Sequence, residues 1–315
     1  MPSWVSPMLA TLTDRRFSDQ NWIFERKLDG ERCVAYRDGD TIQLKSRNRK
    51  ILNDHYPELA EALAMQSEQR FIVDGEIVAF DGRLTSFSRL QERMHIEDPE
   101  LSRQSGVKVY LYVFDILYLD RSDVSEVSQR DRKTLLKRVL SYADPLRYTP
   151  HRNADGEAVF RQACEKGWEG IIAKHATSSY VHGRSRQWLK FKSVNRQEFV
   201  IGGYTDPRGS RRGFGALLLG FHRGDTLAYA GKVGTGFDDA TLDQLQERLE
   251  GLERTTPAFG DAQLPADGIH WVTPSLVAEV GFQEWTAAGK LRHPRFLGLR
   301  RDKRAADVVQ EEPCP

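Results

Sequence analysis

The sequence predicts an α+β protein of two domains, with strands and helices mixed in the first domain and short strands dominating the second. The chain has 315 residues, which is longer than one typical domain. Up to about residue 192, strand-like apolar runs are separated by segments of helical periodicity; beyond it the sequence changes to short, glycine-rich strands. We therefore predict domains at 1–194 and 195–310, followed by a disordered tail at 311–315.

A β-hairpin is the first element predicted in the N-terminal domain, directly after Lys27. Arg32–Tyr36 and Thr41–Lys45 alternate apolar and polar residues and are joined by an Asp-Gly turn at residues 38–40. The elements predicted after it are a helix at Tyr56–Met65, strands at Phe71–Phe80 and Val107–Leu119, helices at Gln129–Tyr142 and Glu157–Gly167, and strands at Gly170–Lys174 and Gln187–Lys192.

The C-terminal domain is predicted to be a small β-barrel of the oligonucleotide-binding (OB) type. Short glycine-rich strands and one helix within about 120 residues are typical of this five-stranded fold. The elements predicted there are strands at Phe199–Tyr204, Gly215–His222, Thr226–Val233 and Leu276–Trp285, and an acidic helix at about Asp239–Arg254.

Composition argues against a membrane protein and against a zinc or disulfide scaffold. Hydrophobic residues make up 39% and charged residues 29% of the chain, as in soluble globular proteins. No apolar run approaches the roughly 18 residues that a membrane span needs, and the N-terminus lacks the features of a secretory signal. The cysteines, Cys33, Cys164 and Cys314, are far apart and lack metal-ligand spacing. We expect an intracellular, cytoplasmic protein with no membrane partner.

A net charge of +1 conceals two strongly basic stretches. Residues 184–212 carry eight basic and two acidic side chains, and residues 290–304 carry seven basic and one acidic. Local basic stripes on a nearly neutral chain indicate a site for a polyanion such as nucleic acid. The alternative is a solvated charged surface.

The segment Glu25–Arg32 suggests covalent chemistry, because it places an amine, carboxylates, a turn-forming glycine and a guanidinium within a few positions. A lysine nucleophile must be deprotonated, and the pKa of a free lysine is about 10.4. We expect Arg32 and a bound metal ion to lower the pKa of Lys27 by repulsion, and partial burial to act in the same direction. The alternative is that Lys27 and Asp29 are ordinary exposed residues of a surface hairpin.

Together with other short motifs, this segment resembles the covalent nucleotidyltransferases, and specifically the ATP-dependent DNA ligases, over nearly the whole chain. The other matching motifs, in order, are Lys45–Asn48, Asp74–Glu76, Phe114-Asp115, Glu169–Lys174, Lys190–Lys192 and Arg300–Lys303. The resemblance implies an adenylating nucleotidyltransferase domain of antiparallel sheets flanked by helices, followed by an OB-fold domain.

The resemblance also implies roles for individual residues. Lys27 is the catalytic residue, which becomes adenylated by ATP. Glu25 is implied to lie at the adenine edge and Phe114 against the adenine ring, with Arg32 and Arg47 near the ribose or a phosphate. The α-phosphate is implied to contact Lys174, Lys190 and Lys192, and the leaving pyrophosphate Asp302 and Lys303. Glu76 is also implied to belong to the nucleotide site. Glu76 and Glu169 are implied to bind Mg²⁺ or Mn²⁺, which prefer oxygen ligands.

The implied reaction joins a 5′-phosphate to a 3′-hydroxyl in nicked or broken double-stranded DNA, through lysyl-AMP and an adenylated DNA end. The residues expected to contact DNA are Arg47, Arg208, Arg211 and Arg212, with Arg186 as a weaker candidate. Residues 277–300 resemble the ligase module of bacterial ligase D, an end-joining enzyme. That resemblance implies a bacterial protein that is associated with the nucleoid and acts as a monomer. It also makes Ku a candidate partner.

Two alternatives remain open at this point. RNA ligases and RNA-capping guanylyltransferases share the lysine motif and its chemistry. A non-catalytic nucleic-acid-binding protein would keep the barrel without turnover, although its site would then be expected to have lost Lys27, Glu76, Glu169 or Lys192.

Overall fold

In the computed structural model, the chain divides into two compact units, Met1–Ser193 and Val194–Glu311. The structure describes residues 1–13, 15–193, 196–207, 212–261, 264, 267–286 and 288–310. No helix among these described residues is both long and apolar enough to cross a membrane.

Strands and helices are mixed along the first unit, as the sequence predicted. Its elements are β1 (Leu9–Leu12), β2 (Trp22–Arg26), β3 (Glu31–Asp38), β4 (Thr41–Ser46), α1 (Pro57–Ala64), β5 (Arg70–Asp81), β6 (Leu84–Thr85), α2 (Phe87–Met94), α3 (Pro99–Gln104), β7 (Val109–Leu119), β8 (Ser122–Asp123), α4 (Gln129–Val139), β9 (Leu146–Tyr148), β10 (His151–Asn153), α5 (Gly156–Glu165), β11 (Gly170–His175) and β12 (Arg184–Lys192). The predicted hairpin is β3–β4, and Gly39 adopts the positive φ of 63° that its turn requires.

Two sheets form the framework of the first unit. One has five strands in the order β1-β12-β11-β2-β10. The other joins β4-β3-β5-β7-β8, with β6 paired to β5 and β9 paired to β7. Most neighbours are antiparallel, whereas β1–β12 and β7–β9 are parallel.

The alternation of side chains along β5 separates a core face from a functional face. Phe71, Val73 and Ile77 belong to the main hydrophobic core, which also contains residues of α1, α2 and α4. Since successive side chains of a strand point to opposite faces, Asp74 and Glu76 lie on the other face. That face is completed by a smaller aromatic core that includes Phe114 and Trp188.

The described part of the second unit contains a curved antiparallel sheet, a two-stranded sheet, one α-helix and a short 3-10 helix at Ala305–Asp307. Its strands and α-helix are β13 (Arg196–Thr205), β14 (Leu217–Arg223), β15 (Thr226–Val233), α6 (Asp239–Glu250), β16 (Glu253–Arg254), β17 (Ile269–Val272), β18 (Val277–Gly281), β19 (Glu284–Trp285), β20 (Leu291–Arg292) and β21 (Arg295–Leu299). The long strand β13 pairs with β14 on one edge and with both β17 and β18 on the other. This shared pairing requires the sheet to curl, and α6 contributes Leu242, Leu245 and Leu249 to its core.

The prediction of one strand at Leu276–Trp285 is wrong. Strand β18 ends at Gly281, and Glu284–Trp285 instead pairs with Leu291–Arg292 in a separate two-stranded sheet. The apolar run continues through Phe282 because that ring packs against the core from outside the strand. Hydrophobicity alone therefore could not mark the end of β18.

Candidate active site

Lys27 lies where β2 ends, beside the start of β11. The backbone N–H of Lys27 donates to the carbonyl of Gly170 at 2.9 Å, which continues the β2–β11 pairing by one residue. This pairing brings Lys27 next to Glu169, and Nζ of Lys27 lies 2.5 Å from Oε1 of Glu169. The side chains are only 20% and 7% exposed, so the ion pair is largely removed from water.

The expectation that Arg32 and burial leave Lys27 with a lowered pKa is wrong. Burial alone would lower the pKa of Lys27, but attraction by Glu169 outweighs it, and Asp29 and Glu76 add to that attraction. The pKa is therefore raised above its usual value. The amine is held protonated and must lose its proton before it can act as a nucleophile.

Arg32 does not repel Lys27 because its charge is compensated by Asp74. Its Nε and Nη2 donate to the two carboxylate oxygens of Asp74 at 2.6 and 2.5 Å, and Nη2 also donates to the carbonyl of Met8. The hydroxyl of Tyr180 donates to Asp74 as well, at 2.5 Å. This buried bidentate pair raises the pKa of Arg32 despite desolvation, and it fixes the guanidinium beside the site.

Glu25 is buried between two lysines. Its Oε1 lies 2.7 Å from Nζ of Lys133 and its Oε2 lies 2.8 Å from Nζ of Lys174. Burial opposes the charge of Glu25, but the two ammonium groups prevail and its pKa is lowered. Lys174, predicted at the α-phosphate, is thus engaged with Glu25 and lies 4.5 Å from the ring centroid of Phe114.

Sequence reasoning missed Lys133. Desolvation, with repulsion by Lys174, lowers its pKa to about 8 although Glu25 attracts it. A signal was present: the buried face of α4 consists of Gln129, Arg132, Lys133 and Leu136, spaced as one helical stripe. A stripe of mostly polar residues on a buried helix face indicates a polar network, and Arg132 pairs with the buried Asp115 at 2.8 Å.

Phe114 owes its position to a β-bulge. Asp74 of β5 pairs with Asp115, whereas Gly75 pairs with Val113, so Phe114 is the extra residue on β7. A bulge re-aims a side chain, and here it adds Phe114 to the functional face. The ring is 8% exposed and lies 4.7 Å from the guanidinium of Arg32 and edge-on to Trp188.

The remaining predicted nucleotide residues of the first unit are divided between its two sheets and a turn. Lys190 and Lys192 are half-buried on β12, on one face as their spacing predicted, and pair across to Ile172 and Gly170. Glu76 on β5 pairs with Arg32 on β3 and with Tyr112 on β7. Arg47 is half-buried in the turn after β4.

The predicted residues of the second unit form a separate ion-pair cluster. Arg300 donates from Nε and Nη2 to the two carboxylate oxygens of Asp302 at 2.8 and 2.7 Å, and Nη1 reaches Glu279 at 3.1 Å. Lys303 lies 3.2 Å from Glu198. Burial alone would raise the pKa of Asp302, but the positive charge of Arg300 lowers it by more. The net pKa is therefore lowered, and this carboxylate stays charged.

Of the predicted DNA contacts in this unit, Arg212 is 74% exposed and lies 3.8 Å from Asp243. Arg208 and Arg211 lie outside the described residues. Arg186 is exposed on β12 in the first unit.

The carboxylates around Lys27 fit a divalent cation that is shared with phosphate. Glu76 and Glu169 offer the hard oxygens that Mg²⁺ or Mn²⁺ prefers. Within the described ranges, no group of three or more His, Cys, Asp or Glu side chains is arranged to hold a metal by itself. This donor set suits a cation that takes its other ligands from phosphate and water, as Mg²⁺ does at nucleotide sites.

Comparison with known proteins shows the family to which the chain belongs. A family model described as an ATP dependent DNA ligase domain matches residues 7–192, and one described as the ATP dependent DNA ligase C terminal region matches residues 210–303. A multifunctional non-homologous end joining protein LigD from Pseudomonas aeruginosa is 37% identical over 100% of this chain and 37% of its own length. Its Mycobacterium tuberculosis counterpart is 37% identical over 98% of this chain and 40% of its length. The chain thus spans about two fifths of these relatives.

Solved structures confirm the predicted fold class. A mycobacterial DNA ligase D complexed with ATP and MES has 35% identity and a TM-score of 0.69, with 98% of each chain covered. The ligase domain of Mycobacterium tuberculosis LigD has 35% identity, the same coverage and a TM-score of 0.52. The α+β nucleotidyltransferase domain followed by an OB-fold domain is therefore the architecture of this chain.

Proposed function

Because the chain belongs to the ATP-dependent DNA ligase family, we propose that it joins a 5′-phosphate to a 3′-hydroxyl in nicked or broken duplex DNA. The observation that carries the proposal is the buried contact between Lys27 and Glu169, with Glu76 close enough to act on the same amine. A nucleophile beside two carboxylates suited to a metal is the arrangement that attack on a nucleotide phosphate needs.

In the first step, Nζ of Lys27 forms a bond to the α-phosphorus of ATP while the bond to pyrophosphate breaks. The amine must lose its proton before this bond forms, and the ion pair with Glu169 at 2.5 Å holds that proton in the structure. Glu76 and Glu169 would hold a divalent cation, which when bound would supply positive charge near the phosphate under attack. Lys190 and Lys192 neutralise phosphate oxygens from one face of β12.

The other predicted site residues are assigned roles in the same step. Glu25, held by Lys133 and Lys174, faces the adenine edge, and Phe114 packs against the base. Arg32 and Arg47 lie toward the ribose or a phosphate. Asp302 and Lys303 of the second unit orient the leaving pyrophosphate.

In the later steps, AMP passes from Lys27 to the 5′-phosphate of the DNA, and the 3′-hydroxyl then attacks that phosphate and expels AMP. Covalent storage divides one difficult condensation into easier displacements. Arg47, Arg208, Arg211 and Arg212 are proposed contacts to the DNA backbone.

The names of the relatives support a role in end joining. The two LigD proteins are described as acting in non-homologous end joining, and this chain matches one contiguous portion of each. We propose that it acts as a monomer on broken DNA in the bacterial nucleoid, with Ku as a candidate partner.

Transfer of label from α-labelled nucleotide tests the proposal. Protein incubated with labelled ATP or GTP and Mg²⁺ should become covalently labelled by ATP, and nicked DNA rather than nicked RNA should remove the label. Lys27→Ala should abolish labelling, whereas Lys137→Ala, at an exposed lysine of α4, should not. Labelling of Lys27→Ala would overturn the site, and label from GTP or transfer to RNA would favour the capping or RNA ligase alternative.

A further inference from the structure

An aromatic and basic surface adjoins the active site on the same face of the sheet. We call Arg26, Phe80, Tyr110, Tyr112 and Arg147 the aromatic patch. Tyr112 pairs with Glu76 and Tyr110 with Val78, so both rings share the functional face of β5 and β7. Phe80 is four residues beyond Glu76 on β5 and therefore lies on that face too.

The patch is not part of a hydrophobic core. Its three aromatic side chains are half-buried, and they belong to none of the core clusters formed by the described residues. Their ring neighbours are one another: the centroids of Phe80 and Tyr110 are 5.6 Å apart at an interplanar angle of 77°. Packing of the interior therefore does not account for three large rings here.

Arg147 lies over the rings and donates hydrogen bonds from three nitrogen atoms. Its guanidinium carbon is 3.8 Å from the centroid of Tyr110, and Nη1 donates to the hydroxyl of Tyr112 at 3.0 Å. Asp144 accepts from Nε and Nη2 at 2.7 and 2.9 Å. An arginine stacked on an aromatic face and fixed at both ends is preorganised to meet a planar or anionic ligand.

The patch borders the site through Tyr112, which is the strand partner of Glu76 and interacts electrostatically with Arg26. Arg26 precedes Lys27, and its guanidinium lies 4.9 Å from the ring centroid of Trp168, which precedes Glu169. Lys166 also lies over Trp168, at 5.2 Å. The surface thus runs from Arg147 past the strand partner of Glu76 to the neighbours of Lys27 and Glu169.

We propose that the aromatic patch, extended by Trp168 and Lys166, binds the DNA strand at the break. Among the described residues, Arg26, Arg147 and Lys166 lie against the rings of the extended patch, and Asp144 pairs with Arg147, so the patch itself carries a net positive charge that favours a polyanion. Alternation of rings and cations is typical of single-strand binding, where bases stack on aromatic side chains and cations follow the phosphates. A break exposes a terminal base that has lost one stacking neighbour. This inference rests on the proposed function.

Binding to a nick that cannot be sealed separates this role from catalysis. The probe is a nicked duplex with a 2′,3′-dideoxy end at the nick. Arg147→Gln and Tyr110→Leu should each weaken its binding about tenfold. For Arg147→Gln, the slope of log affinity against log salt should also fall by about one. Label transfer from ATP to Lys27 should be unchanged in both. Arg121→Gln, at an exposed arginine beyond the other end of β7, is the matched control and should bind like wild type.

The outcomes distinguish the two proposals. Suppose that the wild-type protein is labelled and seals DNA. If the patch variants then bind the nicked duplex within twofold of the wild-type affinity, or no more weakly than Arg121→Gln, the patch is not a DNA site. A wild type that is neither labelled nor able to seal would overturn the proposed function and this inference with it. Should Arg147→Gln fail to fold, Lys166→Gln at the exposed rim provides the same test.

Discussion

Nζ of Lys27 lies 2.5 Å from Oε1 of Glu169, so the nucleophile is restrained by the carboxylate that is proposed to bind the metal. Glu169 cannot serve both partners fully at once. A cation at Glu169 would weaken the attraction that raises the pKa of Lys27, and the amine would then lose its proton more readily. Metal binding and activation of the nucleophile are therefore expected to be coupled.

The coupling predicts opposite effects of one substitution on two reactions of Lys27. Glu169→Gln should lower the pKa of Lys27 and so speed its modification by an amine-specific reagent at neutral pH, by about tenfold or more. The same variant should form lysyl-AMP at least about a hundredfold more slowly. Peptide mapping of the modified lysine measures the first effect, and label transfer from ATP the second. Equal amine reactivity in wild type and variant would contradict the assignment of Glu169 as the restraining partner.

The Lys133 site predicts a specific dependence of stability on pH. The pKa of Lys133 is about 8 in the folded chain and 10.5 in the unfolded reference. Between pH 8 and pH 10.5, the amine of Lys133 is therefore protonated mainly in the unfolded chain. Stability from this site should consequently rise as pH increases from about 8 to 10. Relative to Lys133→Met, wild type should gain about 1–3 kcal/mol over that range. Chemical unfolding of both proteins at several fixed pH values measures the difference, which should not stay constant.

Glu25→Gln is the matched comparison at the same site. It leaves two buried ammonium groups, Lys133 and Lys174, without their shared carboxylate. Unfolding experiments at pH 7 should show a loss of about 3–5 kcal/mol, more than for Lys133→Met, which leaves a balanced pair. The reverse order would show that the buried cluster is not held by Glu25.

Gly30 is required by close packing rather than by a turn. A Cβ at this position would lie 2.1 Å from the carbonyl oxygen of Ile77 and 2.8 Å from Cγ1 of Val78. Gly30→Ala should push β3 from β5, cost about 2 kcal/mol or more and strongly reduce lysyl-AMP formation. Gly39→Ala, where nothing lies within 4 Å but φ is +63°, should cost about 1 kcal/mol and keep activity. Melting curves together with label transfer test both variants.

Lys303 is predicted to act in adenylation alone. Lys303→Ala should slow label transfer from ATP about tenfold or more, because it removes a cation from the leaving pyrophosphate. Sealing of a nick that already carries AMP should be unchanged, since no pyrophosphate leaves in that step. Arg304→Ala, at the exposed next residue, should affect neither reaction. Equal slowing of both steps by Lys303→Ala would refute the assignment.

Sequence patterns identified the elements with strong local signals. Strand β5, predicted at Phe71–Phe80, spans Arg70–Asp81, and the helix predicted at Glu157–Gly167 is α5 at Gly156–Glu165. Long apolar alternation and a helix-ending glycine with a φ of +66° at Gly167 are properties of the segment itself. They can be read without knowing the neighbours.

The surroundings of the charged groups could not be predicted from such local sequence patterns. The pKa of Lys27 depends on Glu169, and the burial of Lys133 depends on Glu25, each contributed by another element. The bulge at Phe114 is a mismatch between two strands and leaves no mark in either sequence. Motifs therefore included the contacting pair Lys27 and Glu169, whereas the charge states of these groups could be obtained only from the fold.

The parallel pairing of β1 with β12 has a consequence for how the chain acquires its structure. Leu9–Leu12 are made early in synthesis but pair with residues at Arg184–Lys190, which emerge much later. Such long-range pairing slows folding and leaves strand edges open in the meantime. The sheet that carries Lys190 and Lys192 is completed only when nearly the whole first unit has been synthesised. A nascent chain truncated before residue 184 should therefore bind chaperones and remain unable to react with ATP.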